Sequence, residues 1–308
     1  MTVTLGTIHP VMNGGMGHVA VAELAAAVSA AGGLGVLATS TLSPDEVRAS
    51  VRRIRELTDA PFGANVTLGF PNARENAAVL IDARVKVLNL SLGIDVELVD
   101  AVHGFGGKVV GTVTSRRHAA SAAARGADAV IVTGHEAAGH GSDVSSLVLV
   151  PLVRREVDIP VIAAGGFADG AGLAAALILG ADGVSMGTRF ALTTESPLHP
   201  DLVQLLLTAG ESGTLVTDQV DGLPSRLLAH GRAVDLAPQG STEPASREVA
   251  DAGDTYASVR LGDLTAGVVA IGQIVGGVHD VPSCREVVER VVATAEALLR
   301  GGAGRFVR

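Results

Sequence analysis

Eight short apolar runs, each followed by a stretch of helical pattern, constrain this chain more than any other feature. They occupy residues 8–12, 33–38, 62–67, 85–90, 108–113, 127–133, 160–164 and 183–187. Each is about as long as a strand, nearly continuous in Val, Ile, Leu and Ala, and flanked by Gly or Pro. Strands covered on both faces read this way. The stretches between them carry helix ends. Ser43-Pro44-Asp45-Glu46 offers an N-cap serine with proline at the first helical position, ahead of Val47, Val51, Ile54 and Leu57. Ser115 opens a run through Ala119, Ala122 and Ala123 to Gly126, and Asp169 opens another that ends at Gly180. Both of these close on a Gly-Ala-Asp phrase, a glycine after the last helical turn and then a buried strand.

Strands that alternate with helices make parallel βαβ units. Eight of them predict an α/β fold, a (β/α)8 TIM barrel over residues 1–192, with an open doubly wound sheet as the alternative. Aromatic residues make up 2% of the chain and tryptophan is absent, so the interior must be layered from branched aliphatics, as barrels of this kind are. After Phe190 the period is lost. Turn signals at Ser196-Pro197, His199-Pro200 and Asp221-Gly222 and the polar stretch 239–247 predict a helical lid or substrate segment over 193–263. Residues 264–308 return to a helical pattern, read as a helix from about Ala270 with Val287, Val291, Ala295 and Leu298 inward, completing the barrel.

The net charge of −9 and scattered Arg and Lys exclude a basic stripe for nucleic acid. The single cysteine, Cys284, excludes an internal disulfide and a thiolate metal site, and reads as a small structural residue. No apolar run approaches the ~18 residues of a membrane span, and the first residues lack a signal-peptide pattern, so the expectation is a soluble cytoplasmic protein with no membrane partner. The acidic balance and Ala-rich helix faces permit a homodimer.

Ligands of such barrels bind beyond the carboxyl ends of the strands, with phosphate beyond the seventh and eighth. Those ends hold Gly165-Gly166 and Gly187-Thr188, where backbone N–H groups can approach an anion, and the helix opening at Asp169 is expected to turn its positive end the same way. The sixth strand leads into Gly134-His135-Glu136-Ala137-Ala138-Gly139-His140-Gly141. A metal site needs a third placed ligand; a proton-transfer histidine and a solvated polar turn are the other readings. A phosphate-binding barrel enzyme of the sugar-phosphate isomerase or aldolase type normally needs a strand-end Lys or Glu, and Lys86 and Lys108 sit at strand beginnings.

Taken together, Gly14-Gly15-Met16, the Ala-rich stretch 23–35, Pro61-Phe62-Gly63-Ala64-Asn65-Val66, the Glu136 to His140 loop, 160–170, Gly187-Thr188-Arg189-Phe190 and Gly272-Gln273-Ile274 resemble the nitronate monooxygenase (formerly 2-nitropropane dioxygenase) family. The likeness extends to its relatives, the FMN-dependent enoyl-acyl-carrier-protein reductases, and covers nearly the whole chain. It implies an FMN-dependent oxidoreductase acting on a small molecule. Gly14 and Met16 would line the flavin, Asn65 would hydrogen-bond its ring system, and Glu136 would contact the ribityl or ring region. Gly165, Gly166, Gly187 and Thr188 would bind the phosphate, Gln273 would reach the cofactor from the last segment, and His140 would be the catalytic histidine. A nitronate would be oxidised with O2; in the reductase alternative NAD(P)H would reduce the flavin, which would reduce an enoyl thioester. Two departures stand out. Ala138 replaces a family glycine, which matters if that position needs φ > 0, and His18 stands where the reductases often carry an aromatic.

Overall fold

The structure is a computed structural model that describes residues 1–236 and 253–306; the polar stretch 239–247 lies outside them. Helix α1 (Thr2–Leu5) leads into β1 (Val11–Asn13), α2 (Ala22–Ala30), β2 (Gly35–Ala38), α3 (Pro44–Leu57), β3 (Phe62–Thr67), α4 (Ala73–Asp82) and β4 (Val87–Ser91). The alternation continues through α5 (Val96–His103), β5 (Lys108–Val113), α6 (Arg116–Ala124), β6 (Ala129–Thr133), α7 (Ser146–Arg154), β7 (Val161–Ala164), α8 (Gly170–Ile178) and β8 (Gly183–Met186). Beyond it lie α9 (Thr188–Ala191), α10 (Pro200–Leu207), β9 (Thr214–Thr217), β10 (Ser225–Leu228), α11 (Arg232–Asp235) and α12 (Cys284–Phe306).

The eight predicted strands are the eight observed, all parallel, in the order β1-β8-β7-β6-β5-β4-β3-β2. The seam between β1 and β2 closes the barrel by unusual means. Its backbone pairing is a single bridge, Met12 to Leu34. Above the bridge the carboxamide of Asn13, fully buried, stands in for a peptide: Oδ1 accepts from Val36 N at 2.8 Å and Nδ2 donates to Val36 O at 2.9 Å. Met1, Met12, Leu34, Val36, Val110 and Ile162 are among the residues that fill the barrel interior.

The predicted caps form. Ser43 and Glu46 make a reciprocal capping box, Ser115 and Asp169 accept from the third residue of their helices, and α6 and α8 end at Gly126 and Gly180 with φ of +90° and +94°. Two expectations need revision. The last helix starts at Cys284, because Gly272, Gly276, Gly277 and Pro282 keep the preceding segment in a 3-10 turn and coil. It buries Val287, Val288, Val291 and Ala295 against α8 and α2, but Leu298 is 42% exposed, since the helix runs on past its neighbours. The segment 193–263 carries helices, as expected, but also an antiparallel ribbon of β9 and β10 around the Asp221-Gly222 turn.

Candidate active site

Parallel strands deliver all their carboxyl ends to one rim, so the loops after β1, β3, β6, β7 and β8 converge there. After β7 the chain passes through Gly165 and Gly166, both left-handed with φ of +99° and +81°. A Cβ at Gly165 would lie 3.0 Å from Ser146 Oγ and 3.1 Å from Ala137 N, so the turn accepts no side chain. Gly187 follows β8 and α9 begins at once. The backbone N–H groups of Gly165, Gly166 and Gly187 meet no acceptor among the described residues. Asp169 caps α8, accepting from Gly172 N at 2.8 Å, and Gly170 is pressed against Val291 and Thr294 of α12. The short helix α9 starts directly from Gly187.

The other predicted residues form a connected band around the same rim. Gly14 N donates to Met186 O at 3.1 Å, and its own Cβ position is 3.6 Å from Gly187 Cα; Met16 Sδ is as close to the Cβ position of Gly187. Gly15 approaches Asn65 so closely that a Cβ would come within 2.6 Å of it. Asn65 is 4% exposed and its Nδ2 donates to Asn89 Oδ1 at 2.9 Å and to Ser91 Oγ at 2.8 Å. Asn89 in turn donates to Thr112 Oγ1 at 2.9 Å, so a polar ladder crosses the ends of β3, β4 and β5. Across the mouth, Thr188 Oγ1 accepts from Gly272 N at 3.0 Å, and Gln273 N donates to Glu136 O at 2.9 Å. The carboxamide of Gln273 has no partner among the described residues.

Glu136 occupies a position the sequence did not suggest. Ser145 does not cap α7 with its side chain; the Glu136 carboxylate does so from the preceding loop, accepting from Ser146 N at 3.0 Å and Ser146 Oγ at 2.9 Å. Negative charge at a helix N-terminus is favourable there.

His140 sits beyond Glu136 in the β6–α7 loop. Its Nε2 is 2.8 Å from Asp221 Oδ2. The two atoms are in contact but misaligned for a hydrogen bond, and Nε2 is buried without another partner. The left-handed position of this loop is Gly139 (φ +61°), and Ala138 needs no such backbone, so the departure at 138 costs nothing.

The ribbon residues that hold this loop were not foreseen. Gly139 and Arg226 exchange backbone bonds of 3.0 and 2.9 Å, a lone antiparallel bridge between loop and β10. Arg226, 4% exposed, donates from Nε to His135 O at 3.0 Å and from Nη1 to Thr214 Oγ1 at 2.9 Å. Burial pushes its pKa below the usual arginine value, with the charge of Glu136 opposing. Asp221-Gly222 was legible as a turn; that the turn would reach His140 was not. His18, with φ +60°, meets the edge of Tyr256 at 5.5 Å, and its backbone oxygen accepts from Arg260 at 3.1 Å. Burial and the Arg260 charge lower its pKa, against Asp254. In the motif Gly187-Thr188-Arg189-Phe190 the arginine is structural, bonding Asp280 Oδ1 at 2.7 Å and Leu192 O at 2.6 Å.

The family model for nitronate monooxygenase matches residues 1–82 and 73–294. The chain belongs to the nitronate monooxygenase family. It is therefore an oxidoreductase, and the members it resembles differ in their reactions. A (3aS,4S,5R,7aS)-5-hydroxy-7a-methyl-1-oxo-octahydro-1H-indene-4-carboxyl-CoA dehydrogenase of Mycobacterium tuberculosis is 37% identical, with 96% of this chain and 95% of that protein covered. A nitronate monooxygenase of Pseudomonas aeruginosa is 31% identical over 78% of this chain and 82% of its own length. The solved structure of FabK from Thermotoga maritima superposes with a TM-score of 0.93 at 36% identity, covering 99% of this chain and 98% of its own. Among the described residues no helix is long and apolar enough to cross a membrane.

Proposed function

We propose that this protein is an FMN-dependent oxidoreductase that oxidises a nitronate or similar carbanion, with His140 as its catalytic residue. The observation that carries this reading is the placing of His140 and an acceptor-free glycine cradle on one barrel rim, joined by contacts through Glu136, Gly272 and Thr188. Gly165, Gly166, Gly187 and Thr188 would hold the phosphate, since their N–H groups and hydroxyl suit a dianion and a Cβ would fill the space. Gly14 and Met16 would line the ring system, and the uncommitted carboxamide of Gln273 would reach the cofactor. Asn65 would present the free edge of its ladder to the ring, and Glu136 would act by fixing the loop.

FMN held there would supply the two-electron redox chemistry between the substrate carbon and O2. The protein's own part is positioning and proton handling. His140 stabilises an anionic substrate, or takes the proton from the carbon beside a nitro group. Asp221 supplies the counter-charge for the imidazolium that results.

A second reading follows from the coverage of the carboxyl-CoA dehydrogenase, 96% of this chain at 37% identity. A carbon next to a thioester carbonyl is acidic for the same reason as one next to a nitro group, so the same imidazole would serve it. The test is an absorbance spectrum of the purified protein, repeated anaerobically with each reductant. Bleaching of bound FMN by a nitronate supports the first reading and bleaching by an acyl-CoA the second. Bleaching by NADH or NADPH alone points to reduction of an enoyl thioester. A colourless protein that takes up no FMN overturns all three.

A further inference from the structure

A cavity of about 570 Å3 opens between the β5–α6 loop, the His140 loop and the ribbon. That volume lies in the range of small-molecule sites, about 300–1,000 Å3. Ser115, Arg117, His118, His135, Asp143 and Arg226 line it with several small residues. Arg226 is the decisive member. It is 4% exposed, two of its nitrogens are bonded to the protein, and its Nη2 is buried with no acceptor. A buried guanidinium donor left unpaired is costly, and the nearby Glu136 carboxylate is already bonded to Ser146. Arg117 and His118 stand exposed on the first turn of α6, where the helix dipole adds positive potential. The one carboxylate of the lining, Asp143, is exposed. Gly139 and Gly141, the chain neighbours of His140, form part of the same wall.

We infer that this cavity binds the phosphate-bearing tail of a thioester substrate while the acyl end lies at His140. The inference rests on the thioester reading and names how that substrate would be gripped. Arg226 and Arg117 are the phosphate donors, and guanidinium forks suit phosphate oxygens. Two carriers share that chemistry, the nucleotide diphosphate of coenzyme A and the phosphopantetheine arm of a carrier protein.

The FMN-loaded protein is titrated calorimetrically with 3′-phosphoadenosine 5′-diphosphate and, separately, with phosphopantetheine. Arg226 also holds the loop, so the informative variants are the exposed Arg117→Ala and Asp143→Asn. Expected are one equivalent of probe bound without displacement of FMN, about tenfold weaker binding in Arg117→Ala, and tighter binding in Asp143→Asn. Tighter binding of the nucleotide probe identifies coenzyme A as the source, and tighter binding of phosphopantetheine the carrier arm. In turnover, Arg117→Ala raises KM for an acyl-CoA about tenfold and leaves the matching N-acetylcysteamine thioester, which has no phosphate, unaffected. Equal affinity in wild type and both variants, or displacement of FMN by the probe, overturns the inference. If no thioester is turned over but the probe binds with this charge dependence, the thioester reading fails and the anion site stands. If both thioesters are turned over and Arg117→Ala alters neither, the thioester reading stands and the site fails.

Discussion

The glycine cradle and the His140 loop stand side by side on one rim and are held in opposite ways. The cradle is a continuation of β7 and β8; its form follows from left-handed backbone at Gly165 and Gly166 and from neighbours that leave no room for a Cβ. The His140 loop is clamped by residues far along the chain. Arg226 reaches His135 O across 91 residues of sequence, Gln273 N bonds Glu136 O, and Asp221 sets the charge beside the imidazole. On the proposed function, the anion grip would be built into the barrel, whereas the reactive end would depend on how the ribbon docks. Changes in the ribbon would then retune the chemistry without altering cofactor binding.

That contrast can be broken experimentally. His140→Ala should lower kcat by about 10²–10⁴-fold while the visible absorbance of the flavin shows FMN still bound; an unchanged kcat removes His140 from the mechanism. Gly165→Val should do the reverse. Strain of about 1–3 kcal/mol at positive φ, added to contacts near 3 Å, should weaken FMN binding by at least about tenfold. Normal flavin content in that variant would show that the cradle does not hold the phosphate.

Arg226→Ala removes the bonds to His135 O and Thr214, and should cut kcat/KM about tenfold with little loss of flavin. If flavin is lost in step with activity, loop and cradle are not separate devices. Asp128 sharpens the comparison from the barrel side. Burial raises its pKa, but bonds from Lys108, Val109 N and His103 outweigh burial and hold the carboxyl below its ordinary value. The stability it contributes is therefore present above the unfolded carboxylate pKa and lost as pH falls through the lower folded value. Asp128→Asn should cost about 1 kcal/mol in urea unfolding at neutral pH, a gap that closes in acid, with kcat unchanged. A gap that persists below the folded value rules out this account. Smallest in consequence, Cys284 is buried and its thiol is pushed up to about 12 by desolvation, so at about pH 8 a thiol reagent should label it only on unfolding.

The strands, caps and closing glycines were legible because their causes are local. A capping box lies within four residues and a buried strand within six, and the glycines of the cradle carry their signal in the turn itself. Leu298 was misjudged because helical periodicity cannot show where a helix outruns its neighbours. The ribbon was missed because two four-residue strands around a turn are too short to carry a period.

The sequence by itself determined the barrel, its rim of glycines and the presence of a histidine in the sixth loop, since each follows from burial and backbone freedom within a few residues. Only the tertiary structure decided that Asn13 closes the seam, that Glu136 caps a helix, and that Asp221 and Arg226 govern the loop carrying His140. Those contacts join residues distant along the chain, and one sequence contains no term that relates them until the barrel has brought its strand ends to a common edge.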